Sequence, residues 1–66
     1  MKVIVNGEER EVGEEIVLSE LIETLGLALT RVAVELNGRI VAPDDYRKTP
    51  LGEGDRLEVV GFVGGG

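Results

Sequence analysis

A 66-residue chain with no cysteine and no histidine has neither disulfides nor the usual zinc ligands to staple it, and one domain of this size buries only about 60% of its unfolded-state surface. Thirteen acids against seven bases give a net charge of −6, which argues against nucleic acid and anionic membrane surfaces and leaves a basic protein surface as a possible partner. No apolar run approaches the roughly 20 residues of a membrane span, Met1 to Gly7 lacks a signal-peptide layout, and the missing cysteines fit a reducing compartment, so a cytoplasmic protein, monomeric when free, is expected.

Met1, Val3 and Val5 alternate with Lys2 and Ile4, the period-two pattern of a strand. Asn6-Gly7 suits the two φ > 0 positions of a type I′ turn. Glu9 to Val12 then returns as a second, more polar strand, expected at a sheet edge, and Gly13-Glu14-Glu15 breaks it. Leu18, Leu21, Ile22 and Leu25 stand at i, i+3, i+4 and i+7, which predicts a helix over 18–25 with Gly26 as its C′ residue. The start of this helix has no clear marker: capping by Ser19 would leave Leu18 outside, and Val17 carries no capping oxygen.

Arg31 to Leu36 is the next strand-like run, with Val32, Val34 and Leu36 on one face. Asn37-Gly38 makes a second tight turn into the short run Arg39-Ile40-Val41. Pro43 to Pro50 reads as loop with Tyr46 as its aromatic anchor, and Gly52-Glu53-Gly54-Asp55 as a turn. Arg56 to Val63 is the last strand, and it runs into Gly64-Gly65-Gly66. Strand, strand, helix, strand, short strand, strand is the order of an α+β β-grasp fold: a mixed four- to five-stranded sheet with one helix packed across one face. Residues 1–62 are expected to form the domain and 63–66 a flexible tail. The first and last strands are the most apolar and are expected side by side in the centre; adjacent strands are usually antiparallel, and a helix crossover would let these two run parallel.

Glu58 must face solvent, so Leu57 and Val59 belong to the core face. Alternation then puts Val60 and Phe62 on the outer face, and Ile4 of the neighbouring strand joins them. An exposed apolar cluster of this kind is a candidate partner-docking surface. Catalytic chemistry is hard to find. Ser19 is the lone serine and has no histidine or cysteine to activate it. The carboxylates at 8, 9, 11, 14 and 15 form a charged stretch without a cleft. Asp44-Asp45 lacks the spacing of a calcium loop, and Gly52-x-Gly54 is not followed by the Lys-Ser/Thr of a phosphate loop. No catalytic residue and no metal site are expected. The reactive group left is the terminal carboxylate, on glycines able to thread a channel that rejects other residues.

Four stretches carry a family resemblance: Met1 to Gly7, Leu18 to Leu27, Val32 to Val41, and Gly54-Asp55-Arg56-Leu57-Glu58-Val59-Val60 running into Phe62-Val63-Gly64-Gly65-Gly66. Over nearly its whole length the chain resembles the ThiS-type sulfur carriers, ubiquitin-like proteins of bacterial thiamin (thiazole) synthesis. Val17 departs from the pattern, since relatives often have a capping Thr there. The resemblance implies that a ubiquitin-activating-enzyme-like adenylyltransferase uses ATP and magnesium to adenylate the Gly66 carboxylate. A persulfide sulfur donor then displaces AMP, and the resulting thiocarboxylate gives its sulfur to thiazole synthase. By the same resemblance Gly66 bears the sulfur, Val63, Gly64 and Gly65 thread the partner's channel, and the carrier binds no cofactor itself. From Phe62 the last four residues extend roughly 13 Å. Ile4, Val60 and Phe62 remain the docking candidates. A molybdopterin-synthase small subunit, or a carrier for tRNA thiolation or protein modification, resembles the chain in fold and tail. The brevity of the chain and its Phe-Val-Gly tail favour the thiazole pathway.

Overall fold

The computed structural model describes residues 1–62; the tail positions Val63, Gly64, Gly65 and Gly66 lie outside the described residues. Five strands form one sheet: β1 (Lys2–Val5), β2 (Glu8–Glu11), β3 (Val32–Leu36), β4 (Arg39–Val41) and β5 (Arg56–Gly61), in the order β2-β1-β5-β3-β4. β1 and β5 run parallel, paired Ile4 to Arg56 and Val5 to Leu57, while the other neighbours are antiparallel. This is the expected mixed ubiquitin-like β-grasp sheet, with β5 at its centre and the polar β2 at one edge.

The helix α1 (Leu18–Thr24) packs on the face formed by Val3, Val5, Val34, Leu57 and Val59. Leu18, Leu21 and Ile22 are buried there, and burial of each such side chain contributes roughly 1.5–3 kcal/mol. The two ends of α1 are fixed by different means. At the C-terminus Gly26 adopts φ 78°, its N–H donates to the Glu23 carbonyl, and the Leu27 N–H donates to the Ile22 carbonyl. That is the Schellman pattern, open to glycine because it has no Cβ to oppose a positive φ. At the N-terminus Val17 is the cap residue and supplies no side-chain oxygen. The Glu20 carboxylate instead accepts from the Val17 N–H at 3.0 Å, half of a capping box. The Leu18 N–H donates to the Thr49 carbonyl and the Leu51 N–H to the Ile16 carbonyl, across an isolated bridge between Val17 and Pro50. Distant chain thus anchors the helix start that no local residue marks.

Several boundaries differ from the sequence expectation. β2 begins and ends one residue earlier than the polar run suggested. Arg31 belongs to a 3₁₀ turn, Leu29–Arg31, ahead of β3, and β5 stops at Gly61. The stretch read as loop after Ala42 contains a six-residue 3₁₀ helix, Pro43–Lys48. Pro43 stands at its start, where a missing N–H costs nothing. This helix buries Tyr46, whose hydroxyl donates to the Val32 carbonyl at 3.1 Å.

Both Asn-Gly turns form with positive φ at Asn and Gly. The asparagines do more than turn the chain. Beyond the end of β1, the Asn6 side chain donates to the Val59 carbonyl at 3.0 Å and accepts from the Val59 N–H at 2.8 Å. Asn37 accepts from the Arg56 N–H and donates to Asp55, each at 3.0 Å. One side-chain amide therefore replaces a missing strand partner on each flank of β5.

Candidate functional site

The site is built around β5, because this strand leads into the chain's last residues. Its inward side chains Leu57 and Val59 are buried in the core, and its outward ones, Arg56, Glu58 and Val60, are exposed. β1 and β3 hold its two edges, and the Asn6 amide carries the pairing on to Val59. The end of β5 is pinned as well. The Phe62 N–H donates to the Arg31 carbonyl at 2.7 Å. Gly61 passes so close to Leu27 that a Cβ there would stand 3.1 Å from a Leu27 methyl.

Ile4, Val60 and Phe62 do not form the single cluster that alternation alone suggested. Val60 and Phe62 are each 56% exposed, whereas Ile4 is half-buried. Ile4 pairs with Arg56, four residues before Val60 and therefore roughly 13 Å away along the strand. Phe62 lies past the end of β5, in a shallow groove with Leu27, Ala28 and Arg31. Val60 lines a different groove with Ala33, Glu35, Ile40 and Glu58. Two apolar spots thus flank the end of β5, one on the open sheet face and one beside the turn after α1.

Ile40 is the residue that sequence reasoning passed over. It is 83% exposed, and its partner in the ladder is Glu35. A three-residue strand gives too few alternations to say which way its middle residue faces. The register supplies the answer, since Arg39 pairs with inward Leu36 and Val41 with inward Val34.

The described residues hold no assembly suited to catalysis. No group of three or more His, Cys, Asp or Glu side chains is arranged for a metal among them. Ser19 is buried on the helix. Asp55, Glu20 and Glu53 accept hydrogen bonds from the backbone, at Gly52, Val17 and Lys2 respectively. Among the described residues no helix is long and apolar enough to cross a membrane. The positions assigned to covalent chemistry and threading, Val63, Gly64, Gly65 and Gly66, lie outside the described residues.

Comparison with known proteins agrees with this geometry. The model of the ThiS family matches residues 3–66. A crystal structure of a thiamine biosynthesis protein, ThiS, from Geobacter metallireducens superposes with a TM-score of 0.83 at 35% identity, covering all of both chains. Proteins named thiazole synthase in Paramagnetospirillum magneticum and Magnetococcus marinus are each 41% identical over all 66 residues. The chain spans about a fifth of the length of these two relatives, 20% in each case.

Proposed function

The chain belongs to the ThiS family, and from that premise we propose that it is a sulfur carrier of thiamin synthesis, working through the carboxylate of Gly66. A free carboxylate resists nucleophilic attack because its own negative charge opposes it. Attack by the Gly66 carboxylate on the α-phosphorus of ATP would release pyrophosphate and leave an acyl-adenylate, which is uncharged at carbon and has AMP as leaving group. A persulfide's outer sulfur then attacks that carbon and AMP departs. That attack forms a C–S bond and an acyl disulfide that keeps the persulfide's own S–S bond. A thiol then attacks the donor's sulfur and breaks that S–S bond, leaving a donor–thiol disulfide and the free thiocarboxylate, which donates its sulfur to the forming thiazole. ATP and magnesium belong to the activating partner, a ubiquitin-activating-enzyme-like adenylyltransferase, and the carrier binds no cofactor.

The observation that carries this reading is the mounting of β5. A central strand held on both edges and pinned at Phe62 gives the tail a fixed point of departure. The partner can then spend its contacts on the body while the last four residues reach roughly 13 Å into its active site. All the reactive machinery lies with the partner, consistent with a body whose serine is buried and which has no histidine or cysteine. Val60 and Phe62 act as docking residues beside the tail, with Ile4 further back on β1. Thiazole synthase is the acceptor, a partnership supported by the relatives of that name that contain a stretch matching this chain.

Incubation with ATP, magnesium, the adenylyltransferase from the same source and a sulfide donor tests the reading. Intact mass should rise by the difference between one sulfur and one oxygen atom, and deletion of Gly66 should abolish the rise without lowering thermal stability. No rise with an adenylyltransferase proven active on another carrier refutes it.

A further inference from the structure

Asn6 and Asn37 are the chain's only asparagines, it has no glutamine, and each asparagine is followed by glycine. The two turns have the same shape: both asparagines stand at φ 52°, with Gly7 at φ 83° and Gly38 at φ 84°. One joins β1 to β2 and the other β3 to β4. Asn-Gly is also the dipeptide most open to self-modification, because glycine has no Cβ to shield its backbone nitrogen from the preceding side chain. The two sites differ in what holds the amide. Asn6 is bonded twice to the main chain of Val59, a core residue, and both bonds are partly buried. Asn37 donates to the Asp55 carboxylate and accepts from the Arg56 N–H, and both of these bonds are exposed to water. Ring closure on the next nitrogen requires the amide to leave its partners. At Asn6 that strips the Val59 N–H and carbonyl of their partners, whereas water can take the place of the Asn37 amide.

We propose that Asn37 is a site of spontaneous deamidation in the folded protein, while the same dipeptide at Asn6 is protected by β5. The Gly38 nitrogen bonds to the Asn37 Cγ and loses its proton to solvent. The Cγ–Nδ2 bond breaks, and Nδ2 takes a proton from water and leaves as ammonia. Water then opens the succinimide at either carbonyl, giving aspartate or isoaspartate at position 37. Water is consumed and ammonia released, with no oxidant or reductant. Aspartate sets a carboxylate against Asp55 where an amide donor stood, so attraction turns to repulsion. Isoaspartate lengthens the main chain by one carbon between β3 and β4. Either change falls on β4, a three-residue strand at the sheet edge, and leaves β5 both of its neighbours, β1 and β3.

The test incubates the full chain at mildly alkaline pH, folded and in concentrated urea, and follows the mass gained when an amide NH₂ becomes a hydroxyl. Trypsin cuts after Lys2, Arg10, Arg31 and Arg39, which places the two asparagines in separate peptides. Digestion at mildly acidic pH keeps further deamidation out of the reading, and chromatography separates isoaspartate from aspartate. In urea the two positions should react at similar rates. In the folded protein position 37 should lead position 6 on the order of 10-fold, the cost of leaving part-buried backbone groups unpaired. Asp55→Ala, which removes one exposed restraint, should speed the reaction at position 37 roughly 2- to 10-fold and leave position 6 unchanged. Equal rates at the two positions in the folded protein overturn the proposal. So does a lead for position 6, the absence of reaction at position 37, or an Asp55→Ala chain that does not react faster at position 37 alone.

Discussion

Replacing Asn6 by glycine should loosen the mount of the tail at one identifiable point. Asn6 adopts φ 52°, a conformation that glycine accepts without strain, so the turn itself survives the change. The substitution removes the amide that donates to the Val59 carbonyl at 3.0 Å and accepts from the Val59 N–H at 2.8 Å. Each bond contributes about 0.5–1.5 kcal/mol net, so the loss is about 1–3 kcal/mol. A 66-residue domain has only about 3–10 kcal/mol in total, which makes this a large fraction of its stability. Urea denaturation followed by circular dichroism should show the midpoint falling with an unchanged slope. Hydrogen exchange gives the site-specific readout: protection of the Val59 amide should drop more than that of Val34 on β3. Asn6→Asp should cost more than Asn6→Gly at neutral pH, because one carboxylate oxygen would then oppose the Val59 carbonyl. Stability within a few tenths of a kcal/mol of wild type, with Val59 still protected, would refute the idea that this amide completes the ladder.

Other outcomes follow from single features. Tyr46 is buried and its phenol pKa is raised above 10.0 by desolvation, so the fold favours the neutral form. Stability from that preference is fully present below pH 10 and is lost as pH rises beyond it. Tyr46→Phe should remove this difference in alkaline sensitivity and, by deleting the bond to the Val32 carbonyl, cost about 1 kcal/mol at neutral pH; equal alkaline curves for the two proteins would count against it. Val17→Thr supplies the missing cap oxygen at a residue already extended, at φ −103° and ψ 162°, and should stabilise by about 0.5–1 kcal/mol in thermal melts. Val60→Ser and Phe62→Ser together should leave the circular dichroism spectrum and melting curve close to wild type while weakening binding to the adenylyltransferase. Gross unfolding would show that these side chains support the core.

Period-two and period-3.6 patterns, with two Asn-Gly turns, were enough to read the strands, the helix and the inward faces of β1, β3 and β5. Leu57 and Val59 inside with Glu58 and Val60 outside followed from one charged residue between two apolar ones. The placement of β1 beside β5 followed from their apolar character, while the helix between them only permitted the parallel direction that the structure shows. These are properties of a residue and its near neighbours in the chain, so the sequence carries them. Lateral neighbours are another matter. Ile4 and Val60 share a face, yet the register of β1 against β5 sets them four residues apart, and it is Ala33 and Ile40 that stand beside Val60. The start of α1 depends on the carbonyl of Thr49, and the asparagines reach Val59 and Arg56 across the fold. Which groups meet across a sheet is decided by the alignment of segments distant in sequence, and alternation within one strand contains no record of that alignment.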